Sequence, residues 1–566
     1  MEAIFYFILV HLSLLIPGYV LLHKLKLFNA HPGINLILGY LVSITFLAGL
    51  AISYYTCNIP LLVVQILFWA SLSIGLFLCI YEKIYLQLAR HWLVLVSFGA
   101  MSLFGLCFTA LAFQGNFAII PDPEPRTDRH YDTLNIKVLN VAQTNANDNY
   151  IPYRQAQFIV NKSNPGKDSF IEEWGVHFFQ RTPLMGAVAA QYFLSLDDFP
   201  PINYTWSNSS PSTDRTYQKF QIIAQILNSL FIIPAFFLIR KIFNIKTAVV
   251  SLLFIIPSQF FLYNSFFSWP KSLVAFFILT SWLLLLSSRR IRYVIAAAIA
   301  SGMAYLAHDL AVLYIGASFL FLIVNKRFRD SLILLGGSAV FALPWLFVAS
   351  IMYHRPSSFI YYPISTKDIP QPGQIKEVIN EFLNTSPLRL VAIRIESLFY
   401  LLTPYQLIIE EGNQTLFRRL WAVGLFSIPG SIGVGLVLPV ILFIIKHMRT
   451  FKYWIFLITP LLLCVLIIGW PKGLGSLHFA QPVIVLLMGM GVAFLLSLKH
   501  KIWLFVAYIA STIQLIFFVT YSYHFSSLIN NFKDVIQLAI MIIIVLACGA
   551  TLYLVNRRNL KSLYIN

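Results

Sequence analysis

Charge is what this chain has least of. Only 11% of its 566 residues are Asp, Glu, Lys or Arg, against about 25% in soluble domains. Acids are scarcer still, with 22 Asp and Glu against 40 Lys and Arg. A soluble chain of this length would divide into several domains joined by polar linkers, and so little charge excludes that. The five cysteines (Cys57, Cys79, Cys107, Cys464 and Cys548) all lie in or beside apolar runs. They form no disulfide framework and no Cys-x-x-Cys metal pattern. Neither His-x-x-x-His nor His-Glu-x-x-His occurs, so the common zinc signatures are missing. No Asp or Glu falls deep inside an apolar run, where pumps and ion-coupled transporters keep ionisable groups. Nor do two halves of the chain show matching broken helices, the mark of inverted repeats.

What is abundant is hydrophobic surface: 58% of residues are hydrophobic and 16% aromatic. A helical span needs roughly 20 apolar residues. Such runs recur at 3–22, 34–55, 61–80, 92–112, 219–239, 247–263, 272–288, 291–307, 310–325, 331–351, 426–446, 453–469, 479–498, 502–522 and 535–555. The reading is an all-α polytopic membrane protein with about 15 transmembrane helices. Two long stretches, 113–218 and 352–425, lack a clean span. Each holds a short apolar piece, 183–196 and 388–407, expected to form amphipathic helices on the membrane surface.

Basic residues orient the chain. Lys24, Lys26, Lys83, Arg90, Arg240, Lys241, Lys246, Arg289, Arg290, Arg292, Lys326, Arg327, Arg329, Lys446, Arg449, Lys452, Lys499, Lys501, Arg557, Arg558 and Lys561 occupy one alternating set of short loops. The opposite set holds only Lys271, Lys472 and Lys533. The positive-inside rule makes the first set cytoplasmic. The N-terminus and both long loops are then outside, and residues 3–22 read as an anchor span, not a cleaved signal. The net charge of +18 is mostly a topology signal. Cations scattered over many loop ends do not make a nucleic-acid surface.

The acids collect in the two outward loops, so the polar chemistry is expected at the outer surface. Three features stand out there: Asp148 with Tyr150, Tyr153 and Arg154; "EEWGVHFFQRTPLMGAVAAQYF" at 172–193, which contains Trp174 and Arg181; and "DRHYDT" at 128–133. In "RTPL", Thr182 reads as a helix N-cap with Pro183 at the first helical position.

The order of these features resembles the GT-C superfamily of membrane glycosyltransferases, which includes protein O-mannosyltransferases and the aminoarabinose transferase of lipid A. A span leads into an acidic outward loop, then Asp-x-Tyr ("DNYIPYRQAQFIVNKSN"), then "RTPLMGAVAAQYF" before a return span. Further on, "SWPKSLVAFF" (268–277) and "GMAYLAHDLAVLY" (302–314) resemble segments of bacterial members. The resemblance covers roughly residues 92–350. It implies additional N-terminal helices at 1–91, a GT-C-like core at 92–351 with the loop 113–218, a second outward loop at 352–425 and C-terminal helices at 426–566. The additional helices depart from the family plan, as does the long separation of Asp148 from residue 112. That separation keeps Asp122, Asp128 and Asp132 in play as the functional acid.

The resemblance implies a sugar donor on a polyprenyl phosphate, a lipid, glycan or protein acceptor, and membrane lipids as surroundings in a bacterial plasma membrane. Asp148 is the expected base, taking the acceptor's proton. Lys271, His308, Arg181, Lys472 and His478 stand at outward span ends and are the expected contacts for the leaving phosphate. Tyr150, Tyr153, Arg154 and Trp174 are the expected substrate contacts. Lys271 and Lys472 each follow a Trp-Pro pair, and interface anchoring is the alternative reading, stronger for Lys472 than for Lys271. No cofactor is required by this reading. Loop carboxylates are of the kind that hold Mg²⁺ or Mn²⁺. Two other readings compete: an O-antigen polymerase or ligase relying on arginines such as that in "YHRP" (353–356), and a lipid-linked sugar flippase.

Overall fold

A computed structural model describes residues 2–28, 32–114, 146–163, 182–200, 215–266, 269–352, 362–366, 375–403, 423–424, 427–467, 480–523 and 532–557. Among these residues the chain is helical and contains no strand. Each run read as a span is occupied by a helix. Among the described residues eight helices are long and apolar enough to cross a membrane: Glu2–Leu25, Pro32–Thr56, Leu61–Tyr81, Trp92–Thr109, Arg215–Ile242, Phe328–Ile351, Ile502–Val519 and Val535–Asn556. The run read as 247–263 is two helices, Ile245–Ile255 and Gln259–Ser265, bent by 68°. Pro257 lies at the break, where its missing N–H and fixed φ interrupt the ladder. The six remaining runs form shorter helices of 10–17 residues: Lys271–Ser287, Ile291–Ala307, Asp309–Val324, Val434–His447, Ile455–Ile467 and Gln481–Ser497.

The first three helices, α1 (Glu2–Leu25), α2 (Pro32–Thr56) and α3 (Leu61–Tyr81), share one hydrophobic core with the rest of the bundle. Glycines bring α1 and α2 close. A Cβ on Gly18 would lie 2.1 Å from the Gly39 carbonyl oxygen, and the Gly18 N–H donates to Ser43 Oγ at 3.0 Å. Small residues allow such backbone approach, which van der Waals packing in a bilayer needs.

Ion pairs separate the two ends of the bundle. At one end Lys219 Nζ lies 2.6 Å from both Glu2 Oε1 and Asp198 Oδ1, and the Tyr6 hydroxyl donates to Asp198. At the other, Lys24 pairs with Glu82. Arg327 binds Asp330 at 2.8 Å and donates to the Leu285 carbonyl at 2.9 Å. Glu2 therefore shares its end with the start of helix Arg215–Ile242, as the alternation of loops requires.

The helix expected at 183–196 forms as Leu184–Ser195, yet every residue in it is buried. This corrects the expectation of an amphipathic surface helix. Its sequence, "LMGAVAAQYFLS", is apolar on nearly all sides, and such a helix is stable only when covered all round. The cover comes from α1–α3 and from helix Ala146–Asn161. Ser13 Oγ meets the Tyr192 hydroxyl at 2.7 Å, and Trp69 Nε1 donates to the Ser195 carbonyl at 3.1 Å. A Cβ on Gly186 would lie 2.6 Å from that of Gln155. The cap also differs from expectation. Pro183 takes the N-cap position without a side-chain bond, and Thr182 Oγ1 is buried without a hydrogen-bond partner. By contrast, helix Pro387–Leu402 has an exposed and a buried side. Leu388, Val391, Ile395 and Phe399 are exposed along one side, and Ile393, Ser397 and Leu401 are buried on the other.

Candidate functional site

The turn between helices Gln259–Phe266 and Lys271–Ser287 gathers the polar chemistry of the bundle. Lys271 is the first residue of its helix and is only 3% exposed. Its Nζ sits 3.5 Å from the centroid of the Trp269 ring, a separation at which the ring face attracts a cation. An interface anchor would extend its ammonium toward water, so burial argues against that alternative. Helix length says where this end lies. Seventeen residues at 1.5 Å per residue span about 25 Å, less than the ~30 Å hydrocarbon core. If Arg289 and Arg290 mark one interface, Lys271 stops short of the other.

His308 borders the same ring. It closes helix Ile291–Ala307, its N–H donating to the Ala304 carbonyl at 3.0 Å, and its imidazole meets Trp269 edge-on with centroids 6.5 Å apart. Two neighbours compete for its Nδ1: Asp309 Oδ1 at 2.8 Å and the Leu310 N–H at 3.2 Å. A lone pair on Nδ1 facing a carboxylate at 2.8 Å would be repelled. We therefore place the proton on Nδ1, donated to Asp309. Asp309 thus fixes the tautomer and ring orientation. Both residues are 5% exposed. Trp269 in this way brings together Lys271 and His308, two of the residues expected from the sequence.

The other expected residues divide into two groups. Asp148 and Tyr150 lie in the first turn of helix Ala146–Asn161, and their side chains fall outside the described residues. Tyr153 and Arg154, in the same helix, are buried. Tyr153 packs among Phe193, Tyr217 and Phe220, and its hydroxyl bonds Thr216. Arg154 donates to Gln157 Oε1 at 2.7 Å. These contacts place both side chains in the interior of the bundle. Trp174, Arg181, Lys472 and His478 lie outside the described residues, as do Asp122, Asp128 and Asp132 and the segments 128–133 and 353–356. Among the described residues no group of three or more His, Cys, Asp or Glu is arranged to hold a metal ion.

Sequence reasoning missed the buried amides that frame the turn. Asn228, in helix Arg215–Ser229, is fully buried. It donates to the Trp269 carbonyl at 3.0 Å and accepts from the Leu273 N–H at 3.2 Å. Gln481 donates to Asn264 at 3.0 Å, and Gln514 to Gln259 at 3.1 Å. The available signal was an amide inside an apolar run, which in a membrane points inward.

Comparison with known proteins gives the following. Two solved structures are distantly similar. ArnT from Cupriavidus metallidurans in the apo state is 12% identical with a TM-score of 0.28, over 61% of this chain and 72% of that one. The archaeal oligosaccharyltransferase AglB from Archaeoglobus fulgidus, in complex with an inhibitory peptide and a dolichol-phosphate, is 14% identical with a TM-score of 0.37. That match covers 81% of this chain and 55% of that one. No curated protein matches the chain. A family model matches residues 213–351, a segment that contains Asn228, Trp269, Lys271, His308 and Asp309 but not Asp148. The family whose model matches that segment is described as dolichyl-phosphate-mannose-protein mannosyltransferase.

Proposed function

We propose that this protein transfers a sugar from a polyprenyl-phosphate-linked donor to a lipid, glycan or protein acceptor at the outer face of the membrane. The observation that carries the reading is the buried Lys271–Trp269–His308 cluster, which lies inside the segment matched by the mannosyltransferase family. In this reading the acceptor hydroxyl gives its proton to the Asp148 carboxylate while its oxygen attacks the anomeric carbon. The bond from that carbon to the donor phosphate breaks, and its electron pair leaves with the polyprenyl phosphate. The phosphate gains charge as the bond breaks, and a preorganised ammonium at Lys271 stabilises that charge. His308 meets the phosphate through Nε2, donating a hydrogen bond when the ring is protonated. Asp309 holds the ring in place.

The test is transfer of radiolabelled sugar from defined polyprenyl-phosphate donors to lipid extracts and peptides by the purified protein. Asp148→Asn keeps side-chain size and removes the base. A roughly 10²–10⁴-fold loss is expected, the usual worth of general acid–base catalysis, with donor binding retained. If Asp148→Asn and its counterparts at Asp122, Asp128 and Asp132 all keep full activity, the carboxylate-assisted mechanism is wrong. The face is tested separately, by labelling single cysteines at Ser209 and Lys326 from outside. Label at Lys326 and not at Ser209 would invert the topology and sink the outer-face assignment.

A further inference from the structure

Lys271 is reached through a helix held at several points by amides from other helices. The helix Gln259–Phe266 follows the 68° bend. At its start, Gln259 Oε1 accepts from Gln514 Nε2, which also donates to the Gly430 carbonyl at 2.8 Å, while Gln514 Oε1 accepts from the Val434 N–H at 2.8 Å. Near its end, Asn264 Oδ1 accepts from Gln481 Nε2. Asn228 then bridges the turn that follows. Its Nδ2 donates to the Ser265 carbonyl at 3.4 Å and the Trp269 carbonyl at 3.0 Å, and its Oδ1 accepts from the Leu273 N–H at 3.2 Å. Lys271 lies between the last two of these attachment points.

Stability alone does not account for this arrangement. Interhelical hydrogen bonds in membranes contribute modestly, because the unfolded chain in the bilayer finds other partners. What bonds on both sides of Lys271 do accomplish is to fix one backbone conformation across residues 269–273. Pro270 adds to this, with φ of −76° and no N–H of its own. A lysine side chain has a flexible four-carbon stem, and its ammonium can be preorganised only if its backbone is held. Here the backbone is held, and the ammonium rests on Trp269.

We infer that Asn228 is a positioning residue for Lys271, holding the Trp269–Leu273 turn so that the ammonium meets the phosphate of a polyprenyl-phosphate ligand. The inference rests on Lys271 being the phosphate contact proposed above. It is tested with the purified full chain by measuring the affinity for a short-chain polyprenyl phosphate in four proteins: wild type, Asn228→Ala, Lys271→Ala and the double variant. Contacting or coupled residues show non-additive effects. Each single change is expected to weaken binding by about tenfold or more, and the double variant to bind within about twofold of Lys271→Ala. A merely structural Asn228 would weaken binding by the same factor in both backgrounds, and that result overturns the inference. If Lys271→Ala weakens binding and Asn228→Ala does not, only the positioning role fails. If Lys271→Ala binds as tightly as wild type, the Lys271 reading fails first and this inference with it. Asn228→Ser, which is uncharged and keeps one hydroxyl for the turn, replaces Asn228→Ala if the latter does not fold. It is expected to give a smaller weakening that is likewise absent without Lys271.

Discussion

Helices Arg215–Ile242 and Phe328–Ile351 are 28 and 24 residues long, and both are apolar enough to cross a membrane. Their surroundings are opposite. In the first, 89% of the most apolar window is buried inside the protein; in the second, 17%. The buried helix carries Lys219, Gln221, Gln225, Asn228 and Ser229, all buried, while the other exposes Leu332, Val340 and Leu343. In water the ordering would be reversed. In a bilayer, apolar side chains face a solvent as apolar as themselves, and polar groups must turn inward to find partners. Polarity within a span, and not apolarity, therefore marks the centre of this protein, and the site lies against that helix.

The comparison breaks most easily at Lys271. A charged hydrogen-bonding contact is worth about 1.5–3 kcal/mol, which corresponds to roughly a 10–100-fold rate effect. Lys271→Ala should lower transfer by that factor, with kcat falling at least as much as donor affinity. Leu343→Ala, on the exposed helix, should leave transfer within about twofold of wild type, as surface changes usually do. Steady-state kinetics on both variants checks the contrast. A large loss at Leu343 would mean that the exposed helix also builds the site.

A sharper version concerns packing. Gly18→Leu places a Cβ within 2.1 Å of the Gly39 carbonyl oxygen, and overpacking of this kind typically costs 1–3 kcal/mol. The variant should unfold at a lower temperature in detergent. Gly49→Leu, where nothing lies within 4 Å of the added Cβ, should melt like wild type. Equal melting of the two variants would show that α1 and α2 do not make this close crossing.

Much of the fold was legible because a span is a long local signal, and each apolar run appears as a helix. The bend at Pro257 was visible as a residue but hidden by its apolar surroundings. Helix Leu184–Ser195 was placed at the surface because it sits in a polar loop. Its burial depends on α1–α3, which are more than a hundred residues away in the chain. In the site, Lys271 and His308 could be found because each is polar at the end of an apolar run. Asn228 could not be assigned a role from sequence, since the role consists of bonds to Ser265, Trp269 and Leu273, residues 37 to 45 positions away.

Gln514 gives a smaller effect than the changes at Lys271 and Gly18. It joins two breaks in the bundle, binding Gln259 just beyond the 68° bend and the backbone of Gly430 and Val434 on either side of Gly433, whose φ is +87°. Measured interhelical hydrogen bonds in a membrane protein average ~0.6 kcal/mol. Gln514→Leu should therefore reduce thermal stability by only a degree or two in a chain of this size. A collapse of folding would show that polar contacts carry more of the bundle's stability than this comparison allows.

At neutral pH the smallest effect is expected at His91, at the basic end of the bundle, where a change appears only on acidification. Burial, with Arg240 and Arg90 nearby, pushes its pKa down to about 4. Its ring packs edge-on to Phe237 with centroids 5.8 Å apart, and its Nε2 is buried without a hydrogen-bond partner. The sign follows from linkage. The folded protein binds this proton less tightly than the unfolded chain, whose histidine titrates near 6.5. Stability from this group is therefore fully present above about pH 6.5 and declines as pH falls toward 4. Thermal unfolding in detergent from pH 7 to pH 4 should show that decline, and His91→Phe should flatten it. Removing either arginine should make the decline smaller and end it at a higher pH, because a histidine freed of one cation holds its proton more readily and its folded pKa moves back toward the unfolded value. An unchanged pH profile in His91→Phe would assign the decline to other groups and leave His91 as simple packing against Phe237.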